Sequence, residues 1–140
     1  MKIFEILVVL PVIIAKLAMP TEFKASGSLR CQLGATWCSY ISLWEKDFLF
    51  KDDLLGFQGV LCTRNEYMPY NLEGQEDGDE LGAKLYDVEL YVSHNCTTHR
   101  NGQIRQVQRK PQTESVKTNS VSIFWNKDIT NLGIIVDSYI

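Results

Sequence analysis

Four cysteines constrain the fold of this chain more than any other feature of its sequence: Cys31, Cys38, Cys62 and Cys96. In an exported protein an even set of cysteines indicates disulfide bonds, whereas a cytosolic protein keeps its cysteines as thiols. Four cysteines permit three pairings. The first question is therefore whether the chain is exported.

The beginning of the chain has the layout of a secretory signal peptide. Lys2 is followed by the apolar run IFEILVVLPVIIA, and the small residues Ala15 and Ala18 lie at its end. The run is shorter than the roughly 20 apolar residues that a membrane-spanning helix needs. We expect a signal peptide at residues 1–19 and a secreted, extracellular protein that does not span a membrane.

The rest of the chain is long enough for one domain with its own core, which we place at residues 20–140. Hydrophobic residues make up 45% of the chain, a globular rather than a disordered composition. The formal net charge is −3, and this acidic balance argues against a nucleic-acid partner.

Short β-rich runs separated by turn residues occupy this domain. Asn101-Gly102 is the strongest turn signal, because both residues tolerate positive φ. The pattern predicts an all-β fold, an antiparallel β-sandwich of about seven or eight strands. The predicted strands are 28–33, 38–45, 55–63, 66–72, 85–95, 102–109, 119–126 and 132–138.

The faces of these strands favour one disulfide pairing. Alternate residues of a strand point to the same side of the sheet. Cys31 and Cys96 each share a side with apolar residues, so both are expected to face the core and to pair with each other. Cys38 and Cys62 then form the second bridge. We expect each bridge to stabilise the fold by roughly 2–4 kcal/mol.

Five segments in this order resemble the nematode transthyretin-like family of secreted proteins. They are GSLRC (27–31), ISLWEKD (41–47), KDDLL (51–55), NLEG (71–74) and LYVSHNC (90–96), and beyond residue 98 only LGIIV (132–136) is similar. The resemblance implies a disulfide-stapled, transthyretin-like Greek-key sandwich in which Cys31 and Cys96 are the family's cysteine pair. RNEYMP (64–69) replaces the family's Gly-rich turn, and Cys38 and Cys62 lie outside the family pattern.

The same resemblance does not imply an enzyme. Relatives of transthyretin that hydrolyse 5-hydroxyisourate use histidines, an arginine and a C-terminal Tyr-Arg-Gly-Ser. This chain ends Asp-Ser-Tyr-Ile and has no histidine before His94. We expect a non-catalytic protein without a cofactor.

The stretch LYVSHNCTTHR (90–100) contains residues that could form a metal site, a nucleophilic pair or a glycosylation site. His94, Cys96 and His99 have a spacing that can hold zinc, but a zinc ligand must be a thiolate and we expect Cys96 to be in a disulfide. A nucleophilic Cys/His pair also needs a free thiol. Asn95 begins a glycosylation sequon, although a weak one with a bridged cysteine in its middle. We favour a strand whose end is pinned by a disulfide, with His94 packed or hydrogen-bonded, and we expect no metal.

A second metal candidate is the acidic stretch EGQEDGDE (73–80). Its carboxylates do not follow the alternation of a calcium loop. We expect it to be a solvated loop.

Two surfaces are candidate binding sites. A basic run free of acidic residues holds Arg100, Arg105, Arg109 and Lys110. It is either an edge that discourages aggregation or a face for anionic ligands. Large aromatic residues are typical interface anchors, and we expect three of them on the outer side of one strand, opposite its core-facing residues: Trp37, Tyr40 and Trp44. This outer face is either a binding surface or is covered by the second cysteine bridge and a neighbouring strand.

These expectations together predict a secreted binding protein. Its partner is expected to be an extracellular protein or an anionic cell surface, such as a phospholipid headgroup or a glycan. The alternative is a carrier of a small apolar ligand, by analogy of fold alone.

Overall fold

The computed structural model describes residues 19–47, 51–77, 84–99 and 102–140. Apart from Met19, the predicted signal peptide lies outside these ranges, and so does Arg100. Within them, no helix is long and apolar enough to cross a lipid bilayer.

Every regular element of the described residues is a β-strand, as predicted. The ten strands are β1 (Thr21–Arg30), β2 (Trp37–Glu45), β3 (Asp53–Thr63), β4 (Tyr67–Glu76), β5 (Leu85–His94), β6 (Ile104–Gln108), β7 (Gln112–Ser115), β8 (Ser120–Phe124), β9 (Lys127–Asp128) and β10 (Ile134–Val136). Each of the eight predicted strands overlaps one of them, whereas the short strands β7 and β9 were not predicted.

The strands form two sheets. The four-stranded sheet has the order β4-β1-β8, with β9 also paired to β1. The six-stranded sheet has the order β10-β6-β5-β2-β3, with β7 also paired to β5. The expectation of a purely antiparallel arrangement is wrong, because β1 pairs in parallel with both β8 and β9. Parallel neighbours need a long crossover, which the intervening strands supply.

Two further boundaries differ from the prediction. β1 begins at Thr21 rather than at residue 28, and Thr21, Phe23 and Ala25 alternate into the core ahead of the predicted start. β4 continues to Glu76, so the first half of the acidic stretch is strand rather than loop.

Alternating side chains of both sheets fill the space between them. In β5, the side that carries Val88, Leu90 and Val92 is fully buried, as the alternation predicted. The facing layer comes from β1 and β8, where Phe23 meets Tyr86 edge-to-face with ring centroids 5.1 Å apart. This one core supports both sheets, and its burial is the main stabilising term of the fold.

Two glycines let the sheets close at one corner, where β3 of one sheet meets β4 of the other. A Cβ on Gly56 would lie 2.6 Å from the backbone oxygen of Glu73, and a Cβ on Gly74 would overlap the backbone of Leu55. Only a residue without a side chain permits this approach of two backbones.

The structure contains both disulfides that the strand faces favoured. Cys31–Cys96 lies in the core between the sheets, with both residues at most 2% exposed. Cys38–Cys62 links β2 to its neighbour β3 within one sheet. All four cysteines are therefore in bridges, and disulfides of this kind are typical of extracellular proteins.

Candidate ligand-binding face

Strand β2 has two sides with different surroundings. Ile41 and Leu43 point into the sandwich core and are completely buried. Tyr40 and Trp44 point to the opposite side, the outer face of the six-stranded sheet, as predicted. β2 keeps a regular register with β5 from Ser39 to Glu45, so this division holds along the strand.

The prediction that Trp37 lies on the outer face is wrong. Trp37 is 2% exposed and belongs to the core. It stands an even number of residues before Ile41 and therefore points to the same side of β2. Its indole Nε1 donates to the backbone oxygen of Asn65 at 2.8 Å, which satisfies the one polar atom of the buried ring.

A cleft of about 260 Å³ lies on the outer face. Its walls combine aromatic rings with polar side chains, and its size is near the lower end of ligand pockets. The lining residues are Tyr40, Ser42, Trp44, Lys46, Asp52, Tyr91, Gln106, Tyr139 and Ile140.

Strand register brings these residues together. Ser42 of β2 is paired with Tyr91 of β5 on one side and with Phe57 of β3 on the other. Tyr40 stacks on Phe57, with ring centroids 6.1 Å apart and planes 30° apart. Gln106 of β6 is paired with Ser93, which is itself paired with Tyr40, and it donates through Nε2 to the hydroxyl of Ser93 at 3.3 Å. Aromatic residues from three adjacent strands thus lie on the same outer face.

One end of the cleft carries an ion pair. The Lys46 ammonium donates to an Asp52 carboxylate oxygen, and the other oxygen of Asp52 accepts the backbone N–H of Asp47 at 3.2 Å. The hydrogen bond from Lys46 is the main cause of the lowered pKa of Asp52, which is therefore ionised at neutral pH. This end of the cleft presents one cation and one anion side by side.

The middle of the cleft holds a phenol that stays protonated. The Tyr91 hydroxyl donates to a carboxylate oxygen of Glu89. Burial, and then this hydrogen bond and the charge of Glu89, raise the pKa of Tyr91. The hydroxyl is thus a neutral hydrogen-bonding group rather than an acid or a base.

The last residues of the chain form one wall of the cleft. Tyr139 is half-buried against it, and burial raises the pKa of this phenol. Ile140 is 88% exposed, and Leu54 and Phe57 on the β3 side are 43% and 59% exposed. Large apolar groups therefore flank the cleft on both sides, the kind of exposed patch that marks binding sites.

The basic side chains of the predicted binding surface make different contacts. Arg105 Nη1 donates to the backbone oxygens of Asn131 and Gly133 at 3.4 and 3.0 Å, which ties the segment before β10 to β6. Arg109 donates to the backbone of Lys110 and to the side chain of Gln112. Lys110 is exposed. The structure thus uses two of the candidate cations to hold the local backbone.

His94 and its neighbours at the end of β5 are occupied by structural contacts. His94 is completely buried; its Nδ1 accepts the N–H of Cys96, and its Nε2 lies 3.1 Å from the backbone oxygen of Leu132. Burial lowers the pKa of His94 to about 4. A neutral ring with its proton on Nε2 satisfies both contacts, and the packed, hydrogen-bonded histidine predicted from the sequence is confirmed.

Asn95, the candidate glycosylation site, also takes part in strand pairing. Its side-chain oxygen accepts the N–H of Cys38 at 2.8 Å, and its own N–H donates to the backbone oxygen of Cys38 at 3.2 Å. The side chain thus extends the β2–β5 ladder by one step.

A group of carboxylates at the other end of β2 was not predicted. Glu45, Asp47 and Asp53 each offer an oxygen within 4.8 Å of the others. Burial, and then the nearby charge of Asp53, raise the pKa of Glu76 beside them. Glu45 is buried, Asp47 is half-buried and Asp53 is exposed, and Glu45 lies on the inner side of β2 rather than in the cleft.

Of the sequence candidates within the described ranges, Tyr40 and Trp44 alone line the cleft. Tyr91 was missed, although it alternates with the buried Leu90 and Val92 and so had to face outward. Gln106 and Tyr139 carry no comparable signal, because only the pairing of distant strands brings them to β2.

Comparison with known proteins identifies a family but no chemistry. The model of a family described as Caenorhabditis elegans protein of unknown function (DUF870) matches residues 26–135. The Caenorhabditis elegans protein named Uncharacterized protein B0416.7 is 26% identical over 84 residues, which is 60% of this chain and 62% of that protein. The chain thus matches less than two thirds of this relative. No solved structure matches.

Proposed function

The chain belongs to the DUF870 family of Caenorhabditis elegans proteins of unknown function, and we propose that it is a secreted, non-catalytic protein that binds its ligand in the cleft on the outer face of the six-stranded sheet. One observation carries this proposal. Four aromatic residues line an open cleft on the face of the sheet that the core does not use: Tyr40, Trp44, Tyr91 and Tyr139.

The absence of catalysis is proposed from the state of the reactive groups. All four cysteines are in disulfides, so none can act as a nucleophile or as a metal thiolate. Both ring nitrogens of His94 are engaged with the backbone, and its lowered pKa leaves it neutral at physiological pH. The groups of the cleft itself are suited to contact rather than to proton transfer.

Secretion and a transthyretin-like Greek-key topology are part of the same proposal. The two disulfides and the apolar start of the chain support export. The chain passes from one sheet to the other after β1, β3, β4, β7 and β9, and repeated crossing of this kind is a feature of Greek-key sandwiches. The bridge between Cys31 and Cys96 is the one that the family resemblance implies.

A ligand bound mainly by the basic run is less well supported. Arg105 and Arg109 already donate to backbone and side-chain oxygens of this chain. An anionic surface would have to compete with those contacts. We therefore place the ligand in the aromatic cleft rather than on the basic run.

Retention from extracellular material tests this proposal. The full chain is expressed in animal cells, and the oxidised protein is purified from the medium and immobilised. We expect it to retain components of nematode extracellular material, and Trp44→Ala to lose them. Phe124→Ala is the matched control, because Phe124 is a 71% exposed aromatic residue of β8 in the other sheet.

Three results would contradict the proposal. One is retention that is equal in Trp44→Ala and wild-type protein, and another is a protein that stays inside the cell. The third is retention that disappears in Arg105→Glu/Arg109→Glu but not in Trp44→Ala.

A further inference from the structure

We propose that the ligand of this cleft is a neutral saccharide chain. This inference rests on the proposed function, since it names the chemistry of the ligand that the outer face would hold. It follows from the combination of electron-rich rings and paired hydrogen-bonding groups in one open cleft.

The rings of the cleft suit the C–H face of a sugar. The face of an aromatic ring carries negative quadrupole charge, and the C–H groups on one side of a pyranose ring are weakly positive and apolar. Every aromatic side chain lining the cleft is a tyrosine or a tryptophan, and they come from β2, β5 and the segment after β10. Such rings supply contact area at low cost in side-chain entropy.

The polar groups of the cleft suit the hydroxyls of a sugar. A hydroxyl both donates and accepts, so a site for several hydroxyls needs donors and acceptors in alternation. Lys46 is a donor and the adjacent Asp52 an acceptor, while Gln106 supplies both kinds of group on the opposite side. The ion pair also fixes the two charged side chains in place before a ligand arrives.

The same groups argue against the other ligand classes. A wholly apolar ligand would desolvate the Lys46–Asp52 pair without replacing its hydrogen bonds with water, which is unfavourable. An anionic ligand would meet one lysine that is already neutralised by Asp52. A neutral, hydroxyl-rich ligand meets neither penalty.

A glycan array tests the inference directly. The purified, oxidised protein is applied to immobilised neutral and anionic oligosaccharides at low and at high salt. We expect retention on a subset of the neutral oligosaccharides that does not change with salt. Trp44→Ala should lower that affinity about tenfold, because it removes a stacked ring. Trp44→Phe keeps a ring and should keep most of the affinity, and Phe124→Ala should change nothing.

Periodate treatment separates this inference from the function on which it rests. Periodate cleaves the vicinal diols of saccharides and leaves most polypeptide contacts intact. If Trp44-dependent retention from extracellular material survives periodate and no neutral oligosaccharide binds, the saccharide assignment is overturned and the binding function stands. Retention on anionic oligosaccharides alone, with loss at high salt, overturns the assignment in favour of charge recognition. Binding without any dependence on Trp44 overturns both.

Discussion

The two sides of strand β2 have different surroundings. On its inner side Ile41 and Leu43 are fully buried in the sandwich core, and on its outer side Trp44 is half-buried in an open cleft. The inner side also carries Trp37 and the buried polar residues Ser39 and Glu45, and the outer side carries Tyr40, Ser42 and Trp44. This division is the basis for the proposal that the outer side contacts the ligand.

The two disulfides repeat this contrast. Cys31–Cys96 crosses the core, whereas Cys38 lies on the outer side of β2 and is bridged to the adjacent strand. One bridge therefore ties the buried end of the sandwich together, and the other reinforces a strand pair that supports the cleft. Stability and binding should respond differently to changes on the two sides.

Removal of either disulfide bridge gives the largest expected loss of stability. The Cys31–Cys96 loop spans a separation of 65 residues and the Cys38–Cys62 loop 24. Because a longer loop restricts the unfolded chain more, Cys31→Ala/Cys96→Ala should lower the free energy of unfolding by about 4 kcal/mol and Cys38→Ala/Cys62→Ala by about 3.5 kcal/mol. Urea denaturation measures both. The reverse order would show that the inner bridge is not the main restraint.

Truncation of two neighbouring residues distinguishes the inner side of β2 from its outer side. Leu43→Ala should lower the free energy of unfolding by about 3 kcal/mol, because it leaves a cavity in the core. Trp44→Ala should cost about 1 kcal/mol, a usual value outside the core. Binding should follow the opposite order, with Leu43→Ala retaining affinity while folded. Equal stability losses would contradict the division of β2 into two sides.

The buried His94 makes the inner side sensitive to acid. Its folded pKa of about 4 lies below the unfolded value, so the unfolded state binds the proton first as the pH falls. The stabilisation that results from this lowered pKa is fully present above about pH 6.5 and is lost as the pH falls toward 4. Between pH 7 and pH 5 the loss should be about 2 kcal/mol. In His94→Gln the same pH range should produce almost no change in the urea midpoint, and a wild-type-like slope in that variant would exclude His94 as the cause.

Residues in regular strands could be predicted from the sequence, because a strand with neighbours on both sides keeps a strict alternation. This explains why the buried side of β5 and the pairing of Cys31 with Cys96 follow from the order of the residues. Trp37 obeys the same rule, because it lies on the inner side of β2 with Ile41. The prediction that it lies on the outer face is wrong because it does not follow this alternation. The short strands β7 and β9 contain too few residues to show a period.

The cleft could not be predicted in full, because it depends on distances between strands rather than along them. Asp52, Gln106 and Tyr139 join Trp44 only through the register of β2 with β3 and β5 and of β5 with β6, together with the course of the chain after β10. The parallel pairing of β1 with β8 is likewise a long-range contact, and local sequence patterns do not encode strand direction.

The three tryptophans provide the most direct test of the claim that the outer side of β2 binds the ligand. Trp37 lies in the core, Trp44 in the cleft, and Trp125 outside the cleft, bonded through its backbone to β1. Their indole N–H signals are assigned by single substitutions and recorded by NMR while the neutral oligosaccharides retained on the array are added. The Trp44 signal should shift until the binding site is saturated, while the signals of Trp37 and Trp125 stay in place. A shift of Trp37 or Trp125 with no change at Trp44 would contradict it.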